Sequence, residues 1–377
     1  MHKTHRRSLD ALARRQRLRT LQLPHGLDFS SNDYLGLAQS DEMRAAAQAA
    51  LDNGAPVGAG GSRLLRGNHP EHERLEAEAA EFFAAESAIF FGSGFAANTA
   101  LFATLPQRGD IILHDALIHA SVHDGMAMSH ADHRAFPHND AQAAEDTIIA
   151  WRNSGGKGRA WIAVETLYSM DGDKAPLQQL VEVAHRHGAM LVIDEAHATG
   201  VLGRNGRGLG AEFEGNDNVV ALHTCGKALG VSGALITLPT TLRDYMVNRA
   251  RPFIYATAPS PLIAATVRAT FGIIHNATDK RAKLAALTAH AGTRLKEQCG
   301  ITPTGTHIQP IIVGRDTHAL AIANALQAAG FDVRAIRPPT VPDGTARLRL
   351  SLTLNVTTDD VTRLIDTIAP LLDEAAP

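Results

Sequence analysis

Short apolar runs alternate along this chain with longer segments whose apolar positions recur every three or four residues. Ala88-Ile89-Phe90-Phe91, Ile111-Ile112-Leu113 and Trp161-Ile162-Ala163-Val164-Glu165 read as buried strands. So do Ala189-Met190-Leu191-Val192-Ile193, Val219-Val220-Ala221-Leu222 and Ala234-Leu235-Ile236-Thr237. The segments between them predict helices over 71–85, 95–105, 119–128 and 176–187. Upstream, a short strand and turn at 28–37 precede a helix over 41–52. Such alternation argues for an α/β fold, with a large, mostly parallel sheet covered by helices on both faces. A helical stretch over 261–298 leads out of that sheet. Beyond it, strands at 309–313 and 347–352 with helices at 317–329 and 358–373 predict a small α+β C-terminal domain. The expected division is an N-terminal arm at 1–45, a large domain at 46–265 and a small one at 266–377.

Composition excludes several function classes. The 377 residues are 45% hydrophobic and 20% charged, as in an ordinary globular protein. A net charge of −3 supplies no basic field for nucleic acid. No apolar run reaches the roughly 18 residues that span a membrane, and the first residues lack the apolar core of a secretory signal. Cys225 and Cys299 form no disulfide framework, which fits a reducing cytoplasm. Cys225 reads as a small side chain filling space rather than as a nucleophile. The arginine-rich start, with Leu9, Leu12 and Leu18, predicts an amphipathic helix, either an arm lying on the body or an organelle-targeting segment.

Candidate chemistry concentrates at strand ends. Lys227, in Thr224-Cys225-Gly226-Lys227, puts an amine just after one buried strand. Asp194, in Asp194-Glu195-Ala196-His197, puts a carboxylate at the end of another. Taken singly, these are a solvated loop lysine and a helix N-cap. Together they are what pyridoxal phosphate requires: an amine for a Schiff base and a carboxylate that keeps the ring nitrogen protonated. Gly92-Ser93-Gly94-Phe95 lies between a strand and a helix, where free N–H groups suit a phosphate; a left-handed turn without a ligand explains the glycines as well. His119 heads a helix and offers a flat ring for stacking, and His197 is placed to reach the ring oxygen. His119 and His123 share the i, i+4 spacing of metal ligands but lack the Glu of a metalloprotease motif, so no metal is assigned. Arg349 and Arg347 share one face of a strand; a guanidinium there suits a carboxylate, although a solvated strand face gives the same pattern.

Six segments together resemble the α-oxoamine synthases, within the fold type I (aspartate-aminotransferase-like) pyridoxal phosphate enzymes. They are Ser31-Asn32-Asp33-Tyr34-Leu35-Gly36-Leu37, Gly58-Ala59-Gly60-Gly61-Ser62-Arg63, Ser93-Gly94-Phe95-Ala96-Ala97-Asn98, Ser169-Met170-Asp171-Gly172-Asp173, Asp194-Glu195-Ala196-His197 and Gly226-Lys227. The resemblance implies a homodimeric, cytoplasmic acyltransferase that condenses an amino acid with an acyl thioester and releases carbon dioxide. It implies that Lys227 carries the cofactor and moves protons, that Asp194 pairs with the ring nitrogen and that His119 stacks on the ring. It places His197 and Ser169 on the ring's oxygen side. Gly94, Phe95 and Thr224 would hold the phosphate, and Thr257 would reach the phosphate of the neighbouring subunit. Arg349, with Asn32, would bind the substrate carboxylate. Residues 335–350 are most similar to the branch that joins L-alanine to pimeloyl-CoA or pimeloyl-acyl carrier protein in biotin biosynthesis. A sister enzyme using glycine or serine, or a pyridoxal phosphate protein without turnover, are the alternatives. The region between the arginine-rich arm and Phe29 is shorter than is usual in the family, and Asn355-Val356-Thr357 stands where a histidine-bearing stretch is common.

Overall fold

In a computed structural model, residues 2–374 are described. Met1 and residues 375–377, the outermost ends of the expected arm and small domain, lie outside them. The strands are β1 (Leu27–Asp28), β2 (Ser87–Phe91), β3 (Ile111–Asp115), β4 (Asp132–Phe136), β5 (Ala160–Glu165), β6 (Met190–Asp194), β7 (Val219–Thr224), β8 (Ala234–Leu238), β9 (Ile308–Gly314), β10 (Phe331–Asp332), β11 (Ala335–Ile336) and β12 (Ala346–Ser351). The chain forms two compact units. One comprises Leu35–Ser169 and Asp173–Arg281; the other comprises residues 2–34, Met170–Gly172 and residues 282–374.

The larger unit holds a seven-stranded sheet in the order β2-β8-β7-β6-β5-β3-β4. β8 runs antiparallel to both neighbours and the other pairs are parallel. Six of the seven strands therefore share one direction, and their carboxyl ends lie along one edge. Side-chain alternation explains the two covered faces. Met190 and Val192 of β6 join Trp161 and Ala163 of β5 in one core, against Ala97, Leu101 and Phe102 of the helix Gly94–Thr104. Leu191 and Ile193 face the other way with Ile162 and Val164, against the helices Ala141–Asn153 and Leu177–His187. Strands buried on both faces read as unbroken apolar runs, which is why the sequence exposes them.

Several elements escape the periodicity reading, among them β4, the helix Ala141–Asn153 and the helix Thr240–Arg249. β4 is an edge strand whose Asp132, His133 and Arg134 are exposed, so it carries no apolar run; charge on an edge strand discourages pairing with other chains. Helix Ala141–Asn153 does bury a helical stripe, Ala141, Ala144, Ile148 and Trp151, behind an Asp140 N-cap. The expected single helix over 261–298 is two, Pro261–His275 and Thr278–Cys299. Asn276 ends the first, and the Arg281 guanidinium donates to the carbonyl of Ile274 in its last turn.

The smaller unit contains the antiparallel sheet β11-β12-β9 and the two-stranded parallel pair β1-β10. Leu348 and Leu350 of β12 are buried, as are Leu326 of the helix Asp316–Ala328 and Leu364 of the helix Thr358–Glu374. The helix Lys3–Arg14 buries none of its side chains, and after it Arg17 pairs with Asp316 at 2.8 Å and Asp343 at 3.1 Å. Among the described residues, no helix is long and apolar enough to cross a membrane.

Candidate active site

At the carboxyl edge of the large sheet, the chain turns out of β7 and Lys227 follows three residues after Thr224. A cavity opens there, and Lys227, Asp194, His197 and His119 all line it. Lys227 is half-buried, and its Nζ lies 2.7 Å from His197 Nε2. Asp194 ends β6 and is 6% exposed. A buried carboxylate needs donors. Asp194 Oδ2 accepts from Asn98 Nδ2 at 2.8 Å, and Oδ1 accepts from the Ala196 N–H at 2.9 Å. Glu195 points elsewhere, as strand geometry predicts. Its carboxylate accepts from Thr166 and from the amides of Leu209 and Gly210.

The phosphate-binding expectation has a structural basis. Ser93 is the N-cap of the helix Gly94–Thr104 and accepts from the Ala96 N–H. Gly92 and Gly94 are not in the left-handed region, so conformational need does not explain them. Space does explain Gly94: a Cβ there would come within 3.3 Å of Thr224 Oγ1. The Gly94 and Phe95 amides and the Thr224 hydroxyl thus surround a cradle that a side chain would narrow, at the positive end of a helix. Together with a neighbouring amine and a buried carboxylate, this donor set fits pyridoxal phosphate.

His119 is the N-cap of the helix Ala120–Ala127, and its Nδ1 accepts from the Ser121 N–H at 3.2 Å. Burial, with the Lys227 charge adding to it against the pull of Asp194, lowers its affinity for a second proton, so the ring over the cavity is neutral. Burial likewise pushes the Cys225 thiol up, which fits a space-filling role. Among the described residues no cluster of candidate metal ligands occurs.

The remaining expected site residues lie elsewhere. Ser169 is buried and its N–H donates to Glu165 Oε2 at 3.0 Å, but it does not line the cavity. Thr257 is exposed and does not line it either. In the smaller unit, Arg349 is 6% exposed, so the solvated-face alternative does not hold. Its guanidinium donates to Ser351 Oγ at 2.6 Å, Asn32 Oδ1 at 3.0 Å and the Tyr34 hydroxyl at 3.3 Å. The structure therefore joins Arg349 to Asn32. Arg347, on the same strand face, is committed to Asp171 and the Met170 carbonyl.

Three polar cavity residues gained no role from sequence: Asn98, Ser121 and Glu165. Asn98 bridges Ser121 Oγ and Asp194. Glu165 was legible as the end of a strand, but its pairing with Asp194 depends on which strands are neighbours. A second polar cluster lies at the end of β3. There His138 joins Asp115 and Asp173, each at 2.8 Å. Burial would push Asp115 up, yet donors from His138, Asn139 and Leu117 hold it below the usual carboxylate range.

The chain matches the aminotransferase class I and II family model over residues 24–368. It is 41% identical to an 8-amino-7-oxononanoate synthase of Bordetella petrii, over 98% of this chain and 96% of that one. Among solved structures, it is similar to a serine palmitoyltransferase of Sphingomonas wittichii (TM-score 0.85, 29% identity, 92% of this chain and 87% of that one). It is also similar to an 8-amino-7-oxononanoate synthase of Francisella tularensis (TM-score 0.78, 28% identity, 93% and 98%).

The His138 clamp predicts a pH dependence of stability. Burial disfavours its charge, but hydrogen bonds to Asp115 and Asp173 push the imidazole from 6.5 up to about 10. A raised value means the contribution is complete below pH 6.5 and is lost as pH rises through about 10. Urea unfolding should find His138→Gln destabilised by roughly 1–3 kcal/mol at acid to neutral pH, with the gap closing toward pH 10. A gap independent of pH would contradict the charged clamp.

Proposed function

We propose, from the premise that the chain belongs to the aminotransferase class I and II family and within it to the 8-amino-7-oxononanoate synthases, a role for each side chain of the site. The enzyme catalyses the decarboxylative condensation of L-alanine with a pimeloyl thioester, yielding 8-amino-7-oxononanoate, carbon dioxide and free thiol, in biotin biosynthesis. Pyridoxal phosphate, when bound, supplies the electron sink for a carbanion at the amino acid's α-carbon. The observation that carries the assignment is one cavity that joins Lys227, Asp194 and the N-terminus of the helix Gly94–Thr104.

Lys227 Nζ is the covalent anchor and the base that removes and returns the α-proton. His197, 2.7 Å away, orients that amine and serves the ring's oxygen side. Asp194 receives the ring N–H, held in place by Asn98 and the Ala196 amide. His119 would offer a neutral ring to the cofactor face, where a cation would disfavour a protonated ring nitrogen. The amides of Gly94 and Phe95 and the Thr224 hydroxyl bind the phosphate.

Arg349, braced by Asn32 and Ser351, takes the alanine carboxylate. Fixing that group sets which α-carbon bond stands perpendicular to the ring and so which bond breaks. Thr257 serves the phosphate of a second copy. Its exposure supports a homodimer, as does the uncovered apolar surface of Val57, Leu65 and Tyr255 in the same unit. The acyl donor is carried on CoA or acyl carrier protein, and the unbridged cysteines support a cytoplasmic setting.

Incubation with L-alanine and pimeloyl-CoA should release carbon dioxide and a product of the mass of 8-amino-7-oxononanoate, with glycine and serine turned over at least ~10-fold more slowly. Preference for serine would move the chain to a sister activity. Arg349→Ala should raise the KM for alanine ~10–100-fold and lower kcat, because binding and bond orientation both suffer. An unchanged KM would place the carboxylate elsewhere.

A further inference from the structure

Glu165 ends β5 directly beside Asp194, which ends β6; the two are register partners in a parallel pair. Both are buried and both line the same cavity. Two carboxylates side by side in a dry site do not both ionise readily. The difference in their donors decides which one keeps a proton. Asp194 accepts one N–H on each oxygen, from Asn98 and Ala196. Glu165 accepts one, from the Ser169 amide on Oε2, while Oε1 is buried without a partner. An unpartnered buried oxygen is costly on a carboxylate and less so on a carboxylic acid.

The other charges around Glu165 point the same way. From β3, Asp115 faces it, but His138 offsets that charge. From the turn after β7, the Lys227 amine opposes the effect of Asp194. Tyr168, on its own connecting turn, is pushed above its ordinary range by burial and then by the charge of Asp115, and stays neutral. His119 and His197 line the same cavity, and His119 is neutral. Burial first, and the charge of Asp194 next, push Glu165 up to about 8.

We infer that Glu165 is a positioning residue that holds a proton at neutral pH and thereby keeps a single negative charge, on Asp194, for the ring nitrogen. It acts through Asp194. With a second anion in the pair, the proton needed on the ring nitrogen would have a competing site, and Asp194 would lose a neutral neighbour. The inference rests on the assignment of Asp194 to the ring, but its test does not require cofactor.

Infrared difference spectra of the apoprotein, wild type minus Glu165→Gln, should show the C=O stretch of a neutral carboxylic acid at pH 7. Titration should remove it with a midpoint near 8. In Asp194→Asn the same band should titrate about one pH unit lower or more, since a neighbouring negative charge has gone. A purely structural Glu165 would not respond to Asp194. Absence of the band in wild type, or a midpoint that Asp194→Asn leaves unmoved, overturns the inference. Borohydride trapping of pyridoxal phosphate on wild type is the separate control: no adduct there would sink the cofactor assignment while leaving the infrared result to stand or fall by itself.

Discussion

The site depends on keeping one carboxylate charged where water is scarce. Asp194 closes a strand whose preceding residues, Met190 to Ile193, are all buried, and donors are built around its carboxylate. Asn98 comes from the helix after β2, and the Ala196 amide from the turn after β6. Hydrogen bonds to a charged group contribute about 1.5–3 kcal/mol each, which offsets part of the cost of burying a carboxylate. The amine of Lys227 lies along the same edge, the His119 ring is kept neutral, and the Glu165 carboxyl lies on the adjacent strand.

The topology makes this arrangement possible. Because β2 to β7 run in one direction, six strand ends meet at one edge, and each delivers a side chain or a helix N-terminus there without a long loop. β8, the one reversed strand, lets β2 pair into the sheet while pointing its end the same way. The helix Gly94–Thr104 can then start where β2 ends, beside Thr224 at the end of β7. Gly94 and Asp194 thus sit on a regular helix and strand, which hold groups more tightly than loops do, and Lys227 sits in the turn that leaves β7.

Much of this was legible in the sequence because fully buried strands leave an unmistakable apolar run and the decisive residues follow such runs. Lys227 and Asp194 were readable for that reason, and the glycine at 94 for its place between strand and helix. What could not be read depends on which strands become neighbours. The pairing of Glu165 with Asp194 is invisible until β5 and β6 are known to be adjacent. The bracing of Asp194 by Asn98 links positions 96 residues apart. The burial of Arg349 is similar: its strand alternates charge and leucine like a half-solvated strand, and only contacts with Asn32, Tyr34 and Ser351 make both faces interior. β4 was missed for the opposite reason, since an exposed edge has no apolar signature.

The central claim is that the amine at position 227 is the covalent anchor of the cofactor. Borohydride reduction of the protein saturated with pyridoxal phosphate, followed by peptide mass spectrometry, tests it most directly. One phosphopyridoxyl group per chain, located on Lys227, is the expected result. A label found on another lysine, or none at all, would contradict it.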